Sequence, residues 1–263
     1  MDMSDKKILV DYKKNYAILT LNRPQVKNAI DIEMMEELYL ALREIKHRLE
    51  IRAVVITGAG DTFCAGGDLR EMKRAVDKYS FLRLLSKTIN ANTIEIRNLE
   101  VPVIAAVNGA AMGAGFCLTE VCDFVIASED AIFNASYVNV GLAPGCGTFH
   151  LPRLVGLRKA MEIMLLARNF TAAEALNWGL VNKVVPPERL WAEVENLIEI
   201  ISSKPRESLK ITKAALYKSL QTDIHGQIEN ESQAIAEAGL TRDFLEGVDA
   251  FLNKRKPLFG KRE

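Results

Sequence analysis

The sequence has no long hydrophobic run and no excess of either charge. No stretch of its 263 residues approaches the roughly 18 to 20 apolar residues that a bilayer span needs, and no apolar segment follows the charged start at residues 1–7. Lysine plus arginine number 34, as do aspartate plus glutamate, so no overall field attracts nucleic acid or an anionic membrane. We therefore expect a cytoplasmic protein that has neither as a partner.

Cysteine is scarce, and its four copies lack the spacing of a metal site. Cys64, Cys117, Cys122 and Cys146 form neither a CxxC pair nor a Cys/His zinc pattern. In a chain of this length they do not suggest a disulfide framework. Reduced, packed thiols are the simplest interpretation, because free cysteine is among the most buried residue types. No bound metal is expected.

The apolar pattern predicts an α/β fold with one large core. A strand at 16–21 ends before a proline, and Asp31 is placed to cap a helix with one apolar stripe. Continuous apolar runs at 53–57 and 103–107 are typical of strands buried on both faces. From about residue 190 onward, successive helices have apolar faces that need a partner.

A glycine-rich loop follows each of the two apolar strands. Neither the loop at 58–69 nor the one at 108–115 has the lysine-bearing P-loop pattern or the GxGxxG spacing, which argues against a nucleotide cofactor. A glycine loop that opens a helix offers free N–H groups and the positive end of the helix dipole. Two such loops facing each other can hold one developing oxyanion, as thioester enolate chemistry requires.

Seven motifs in a fixed order connect the loops to a known family. They are residues 21–24 with 28–29, 63–69, 107–115, 122–123, 142–145, 172–176 with 179–181, and 251–257. Together they cover nearly the whole chain and resemble the crotonase (enoyl-CoA hydratase/isomerase) superfamily. The resemblance implies an α/β spiral of stacked ββα turns in residues 1–190. It also implies a C-terminal helical region, 191–263, that packs in a homotrimer or a dimer of trimers.

The resemblance also implies an acyl-CoA thioester substrate. It assigns the two oxyanion N–H groups to Gly67 and Ala114. Coenzyme A is part of the substrate, so no separate cofactor is implied. Backbone contacts with the adenine of CoA fall on Val26, Ala65 and Leu69. The basic tail, which includes Lys254 and Lys256, either meets the CoA phosphates across a subunit boundary or simply solubilises the chain end.

The pattern breaks where hydratases of the family have their two glutamates. Cys117 and Tyr137 stand at those places, and Gly145 stands where some isomerases and dehalogenases have an acid. A thiol and a phenol do not replace a water-activating carboxylate pair near neutral pH. Cys117 and Tyr137 are therefore candidate site residues with packing as the alternative, and Glu120, one helical turn past Cys117, is a candidate relocated carboxylate or a buried structural acid.

These substitutions favour isomerase-like or decarboxylase-like chemistry over standard hydration. Both reactions pass through an enolate that a backbone oxyanion hole stabilises. Two alternatives stay open: an enzyme that acts on an acyl-carrier-protein thioester, and a catalytically silent scaffold or RNA-binding protein. The neutral overall charge argues against RNA, because that binding depends largely on phosphate electrostatics.

Overall fold

Ten strands form two sheets in residues 6–260, the part of the chain that this computed structural model describes. The strands are β1 (Ile8–Tyr12), β2 (Tyr16–Leu21), β3 (Ala53–Gly58), β4 (Thr62–Cys64), β5 (Val103–Val107), β6 (Ala110–Met112), β7 (Phe124–Ser128), β8 (Ile132–Asn134), β9 (Phe170–Thr171) and β10 (Lys183–Val185). The larger sheet has the order β1-β2-β3-β5-β7-β10, and the smaller one has the order β4-β6-β8-β9.

Eleven α-helices occur within the same described residues. They are α1 (Ile32–Ile45), α2 (Leu69–Arg74), α3 (Lys78–Asn98), α4 (Ala114–Val121), α5 (Leu151–Val155), α6 (Leu157–Leu166), α7 (Ala172–Asn177), α8 (Leu190–Ser202), α9 (Arg206–Ser219), α10 (Ile224–Gly239) and α11 (Arg242–Leu252). Among these helices, none is long and apolar enough to cross a bilayer.

Each turn of the spiral contributes one strand to each sheet. β3 continues into β4, β5 into β6 and β7 into β8, and both sets of strands pair in parallel. A helix follows the first two of these pairs, α2 after β4 and α4 after β6. The carboxyl ends of β4 and β6 therefore lie side by side, and the two glycine loops leave the sheets at the same edge. The predicted α/β spiral of ββα turns is confirmed.

Helices cover both faces of the larger sheet. β3 and β5 are buried along their whole length, as their continuous apolar sequences predict. Four side chains of α8, Leu190, Val194, Ile198 and Ile201, pack with residues of β3, β5 and β7. The division at residue 190 stays a prediction, but α8 lies on the sheet rather than in a separate appendage.

Local signals in the sequence explain where several helices begin. The Asp31 Oδ1 accepts a hydrogen bond of 2.8 Å from the Met34 N–H and so caps α1, as predicted. The side chain of Asp223 caps α10 in the same way by accepting from Gly226 N. Pro205 comes directly before α9, where a proline needs no intrahelical partner for its missing N–H.

Candidate active site

The first glycine loop holds Gly67 with its N–H free. The Gly66 carbonyl accepts from Ile30 N at 2.7 Å, and Asp68 N donates to the Ile30 carbonyl at 2.8 Å. These two bonds fix the chain on either side of Gly67, whose own N–H has no hydrogen-bond partner among residues 6–260. The Asp68 side chain accepts from Arg70 N and Glu71 N and caps α2, which fixes the end of the loop.

The second glycine loop ends at Ala114, the first residue of α4. Its N–H has no intrahelical acceptor, and the N–H at this end carries the positive pole of the helix dipole. A side chain on Gly66 would lie 2.8 Å from the Met112 carbonyl oxygen and 3.6 Å from the Ala114 nitrogen, so only glycine fits. Gly66 also has φ +91°, a conformation that glycine adopts without strain. The absence of a side chain lets the two loops meet.

Gly67 and Ala114, the residues of the two predicted N–H donors, both line one cavity of about 140 Å³. Its lining is Gly67, Met72, Leu82, Leu85, Ser86, Ile89, Ala114, Tyr137, Leu142, Ala143, Gly145 and Cys146. Among these described residues there is no carboxylate and no cation. The cavity therefore offers two backbone donors, one hydroxyl, one phenol and one thiol in an otherwise apolar wall.

Tyr137 joins two thiols at the wall of this cavity. Its hydroxyl lies 3.3 Å from the Sγ of Cys117 and 3.1 Å from the Sγ of Cys146. The Cys117 Sγ also lies 3.3 Å from the Cys146 carbonyl oxygen, to which the thiol donates. Cys146 lines the cavity, whereas Cys117 lies behind it. We call these three side chains the thiol–phenol cluster.

The pKa values of the three groups in the cluster are shifted in different directions. The neighbouring Cys117 side chain is the main influence that lowers the pKa of Cys146 against the opposing effect of burial, and the Tyr137 hydroxyl lowers it further. The same contact with Cys146, together with burial, raises the pKa of Cys117 well above its ordinary value. Burial and the two neighbouring thiols raise the pKa of Tyr137. Cys117 and Tyr137 therefore keep their protons, and Cys146 is the thiol that loses its proton first.

Glu120 is buried behind the cluster and does not line the acyl cavity. Both carboxyl oxygens lack a hydrogen-bond partner within the described residues. Burial, and secondarily the nearby Cys146, raises the pKa of Glu120 well above its usual range. A side chain on Gly147 would lie 2.5 Å from the Cys117 Sγ and 3.0 Å from the Glu120 Oε2, so this carboxyl group lies beside the cluster as a neutral acid.

Glu120 and His150 instead line a second cavity of about 390 Å³ under α9. Burial, then the charges of Arg97 and Arg153, lowers the pKa of His150 to about 4. Its Nε2 has no partner among the described residues. The structure therefore does not bring Glu120 or His150 to the oxyanion donors.

The loop at Gly145 is fixed to α3 rather than carrying an acid. The Gly145 carbonyl accepts from Ser86 Oγ at 2.7 Å and from Asn90 Nδ2 at 2.8 Å. A side chain on Gly145 would lie 3.3 Å from that Ser86 oxygen. At Gly145, where the resemblance led us to consider an acid, α3 therefore lies directly beside the loop, and Ser86, whose hydroxyl donates to the Gly145 carbonyl, lines the cavity.

The residues predicted to bind CoA divide into two groups. Ala65 donates to the Lys27 carbonyl at 2.9 Å and Ala29 donates to the Val26 carbonyl at 3.1 Å, so Val26 and Ala65 lie on touching loops. Leu69 follows on the same loop as the exposed first residue of α2. Lys254 and Lys256 are exposed, and within residues 6–260 no backbone hydrogen bond connects them to these loops. Their role at the CoA phosphates stays a prediction.

Sequence reasoning missed Cys146 and the wall that α3 provides. Cys146 comes directly after Gly145, in the loop where some family members have an acid. Nothing in the sequence around it indicated that this thiol would line the cavity. Leu82, Leu85 and Ile89 are spaced three and four residues apart, which indicates one helical face. The sequence predicts this apolar face, but it does not predict the cavity that the face lines. Within the described residues, no group of three or more His, Cys, Asp or Glu side chains is arranged to hold a metal ion.

Known proteins are similar to this chain in sequence and architecture over nearly its whole length. The family Enoyl-CoA hydratase/isomerase matches residues 11–262 of the chain. A Short-chain-enoyl-CoA hydratase of Clostridium acetobutylicum is 37% identical over 95% of this chain and 95% of its own length. A Crotonyl-CoA hydratase of Syntrophomonas wolfei is 38% identical over 98% of this chain and 99% of its own length.

The solved structures agree with the sequence relatives. The crystal structure of an enoyl-CoA hydratase from Bacillus anthracis superposes with a TM-score of 0.91 at 35% identity and covers 96% of this chain and 98% of that one. An enoyl-CoA hydratase from Mycobacterium smegmatis gives the same TM-score, 0.91, at 36% identity and the same coverage, 96% and 98%. The fold, the meeting of the two glycine loops and these likenesses lead to one conclusion: the chain belongs to the enoyl-CoA hydratase/isomerase family.

Proposed function

We propose that this protein shifts the double bond of a short 3-enoyl-CoA thioester through an enolate held by the N–H groups of Gly67 and Ala114. The observation that carries the proposal is the shared cavity, in which both free donors lie beside the thiol–phenol cluster and no carboxylate is present among the described lining residues. A double-bond shift needs an oxyanion hole and one group that moves a proton. It does not need a residue that activates water.

The size and polarity of the cavity support a short apolar acyl group. A water molecule occupies about 30 Å³ of the liquid, so a cavity of about 140 Å³ holds only a handful of non-hydrogen atoms. The side chains around it are mainly Met72, leucines and Ile89. Since no cation lines the cavity in the described chain, a 2-carboxyacyl thioester would place its carboxylate without a cationic partner, which favours the double-bond shift over decarboxylation.

The cavity also predicts slow hydration, although both relatives named above are called hydratases. Adding water to a 2-enoyl thioester requires a group that positions and deprotonates water, commonly a carboxylate with a matched pKa. Tyr137 has a raised pKa and is a poor base near neutral pH. The CoA moiety would lie along the loops of Val26, Ala65 and Leu69, with no group needed besides the substrate.

The experiment compares three CoA thioesters in deuterated water: a short 3-enoyl, crotonyl and a malonyl-type thioester. Products are separated by chromatography and weighed by mass spectrometry, because isomerisation changes the retention but not the formula of the acyl group apart from hydrogen–deuterium exchange, hydration adds water and decarboxylation removes carbon dioxide. We expect conversion of the 3-enoyl thioester to the conjugated isomer. Crotonyl-CoA hydration at an ordinary turnover of about 1 to 10³ per second would overturn the proposal. Efficient decarboxylation would replace it. The same 3-enoyl group on an acyl-carrier protein is assayed in parallel, and faster turnover of that thioester would change the substrate class.

A further inference from the structure

The proposed double-bond shift needs a base, and the acyl cavity contains one thiol that can serve. Cys146 is 8% exposed and lines the same cavity as the Gly67 and Ala114 donors. Ser86 and Tyr137 are the other side chains with a titratable or exchangeable proton there. An alcohol and a phenol are weaker acids than a thiol, so their conjugate bases are less accessible near neutral pH. Cys146 is the remaining candidate.

The surroundings of Cys146 stabilise a thiolate without a nearby cation. The Tyr137 hydroxyl lies 3.1 Å from the Cys146 Sγ, and either atom of this pair can be the donor, so the hydroxyl donates to the sulfur once Cys146 is a thiolate. The Cys117 thiol is a second neighbour, and it keeps its proton. Hydrogen bonds to the charged form of a group favour that form, even where burial opposes it. The cluster thus provides the stabilisation that a histidine or a lysine provides for other reactive cysteines.

We propose that the Cys146 thiolate is the catalytic base, taking a proton from the α carbon of the 3-enoyl thioester and returning it to the γ carbon. This inference rests on the proposed function. In the first step the α C–H bond breaks, an S–H bond forms, and the electron pair moves to the carbonyl oxygen between the Gly67 and Ala114 N–H groups. In the second step the dienolate takes the proton from the S–H at its γ carbon. The double bond is then conjugated and the thiolate is restored, with no change in oxidation state.

The groups facing Cys146 are neutral or protonated in this scheme. From α4 these are Cys117 and Glu120, from β4 it is Cys64, and Tyr137 lies opposite. Burial raises the pKa of Cys64 to about 12, so that thiol stays protonated. Glu120, whose pKa burial also raises, carries its proton and does not repel a thiolate. The isomerase activity should therefore rise with pH through the ionisation of one group, Cys146.

The test compares Cys146→Ser and Cys146→Ala with the matched control Cys122→Ser. Cys122 is similarly buried at 9% and donates to the Leu118 carbonyl, away from the acyl cavity. We measure deuterium exchange at the α carbon of butyryl-CoA and isomerisation of a 3-enoyl-CoA across pH. We expect both Cys146 variants to lose about 10²- to 10⁴-fold in turnover with little change in KM, and Cys122→Ser to keep wild-type rates.

A second measurement decides the assignment without catalysis. The far-ultraviolet absorbance of thiolate is titrated in wild-type protein and in Cys146→Ser, which shows whether a thiolate forms below the range of an ordinary thiol and disappears with Cys146. If wild-type protein neither exchanges nor isomerises, the proposed function is wrong. If it does both while the folded Cys146 variants keep more than about a third of the rate, the base is another group. Absence of a thiolate in the titration would also overturn the inference.

Discussion

The N–H of Ala114 can be removed without disturbing the helix that it begins. Ala114 is the first residue of α4, and proline is well tolerated there because that N–H has no intrahelical acceptor. Ala114→Pro should therefore fold normally yet lose one oxyanion donor, which typically costs about 10²- to 10³-fold in turnover. Steady-state kinetics of the 3-enoyl-CoA reaction, with circular dichroism to check the fold, measure both effects.

A matched control for this variant is Leu157→Pro. Leu157 is also the first residue of a helix and follows a glycine with positive φ, Gly156, but it is exposed and lies outside the acyl cavity. Its proline variant should keep wild-type turnover. Equal activity of Ala114→Pro and wild-type protein would show that this N–H does not hold the oxyanion.

The buried acid Glu120 should make the folded protein less stable as the pH rises. Its pKa is raised in the folded state, so above the ordinary carboxyl pKa the unfolded chain releases the proton while the folded chain retains it. The contribution of Glu120 to the free energy of unfolding is therefore complete below that ordinary value, and it is lost as the pH rises towards the pKa of the folded state. Glu120→Gln removes this loss, so its stability relative to wild type should grow by up to about 1.4 kcal/mol per pH unit across the window.

Thermal and urea unfolding of Glu120→Gln between pH 5 and 9 test this expectation. The exposed Glu229→Gln is the control and should follow the wild-type curve. Turnover of Glu120→Gln should stay within a few-fold of wild type because the carboxyl group does not line the acyl cavity. If the free energies of unfolding of Glu120→Gln and wild type depend on pH in the same way, this acid is ionised or partnered in solution. A steep loss of turnover in Glu120→Gln would mean that the carboxyl group takes part in catalysis.

At the scale of elements, a buried ion pair attaches α9 to the larger sheet. The Lys213 ammonium lies 2.6 Å from the Asp123 carboxylate and donates to the Ile96 and Val101 carbonyls. The Tyr217 hydroxyl also donates to Asp123, at 2.9 Å. Removing one partner of such a buried pair leaves the other charge unpaired, which costs about 3 to 5 kcal/mol.

We therefore expect Lys213→Ala to lower the free energy of unfolding by about that amount, as read from urea denaturation. The control is Lys210→Ala on the same helix. Lys210 pairs with Glu100 at 2.9 Å near the surface, so its loss should cost less than about 1 kcal/mol. If the two variants are equally stable, the Lys213 contact does not hold α9 in place.

The elements that local sequence determines were predicted well, and those that distant contacts determine were not. Residues 16–21 and 103–107 were predicted as strands and form β2 and β5. Strand β1 and the short strands β4, β6, β9 and β10 were not predicted. The short ones have only two or three residues, which are too few side chains to show alternation. These segments form strands because they pair with segments that are distant in the sequence. Their pairing also brings Gly67 and Ala114 together, which only the family resemblance indicated in advance.

The residues of the candidate site also differ in how well the sequence predicted their positions. Gly67, Ala114 and Tyr137 were predicted and share the cavity, whereas Glu120 was placed by helical spacing from Cys117 and lies behind the wall. Spacing along a helix predicts which side chains share a face, but it does not predict which cavity each side chain reaches. Cys146 lay in a loop, where no periodicity applies, so its contact with Tyr137 required the folded chain.

At the scale of the whole molecule, α10 and α11 leave a broad apolar surface uncovered. On α11, five apolar side chains spaced as one helical stripe are each at least 41% exposed: Phe244, Leu245, Val248, Phe251 and Leu252. Ile224, Ile228 and Ile235 of α10 are also exposed. Contiguous apolar surface of this kind is typical of a protein–protein interface.

We therefore expect an oligomer in solution with α11 at the interface, and we propose that it is the homotrimer or dimer of trimers that the family resemblance implies. Phe251→Asp, at a position that is 83% exposed in the single chain, would place a charge in that interface and should yield smaller species by light scattering at micromolar concentration. Val76→Asp is the control, since Val76 is fully exposed between α2 and α3, and it should leave the assembly intact. A folded wild-type monomer would contradict the expectation. An unchanged oligomer in Phe251→Asp would move the interface to another surface, because a charge buried without a partner costs several kcal/mol for each subunit contact.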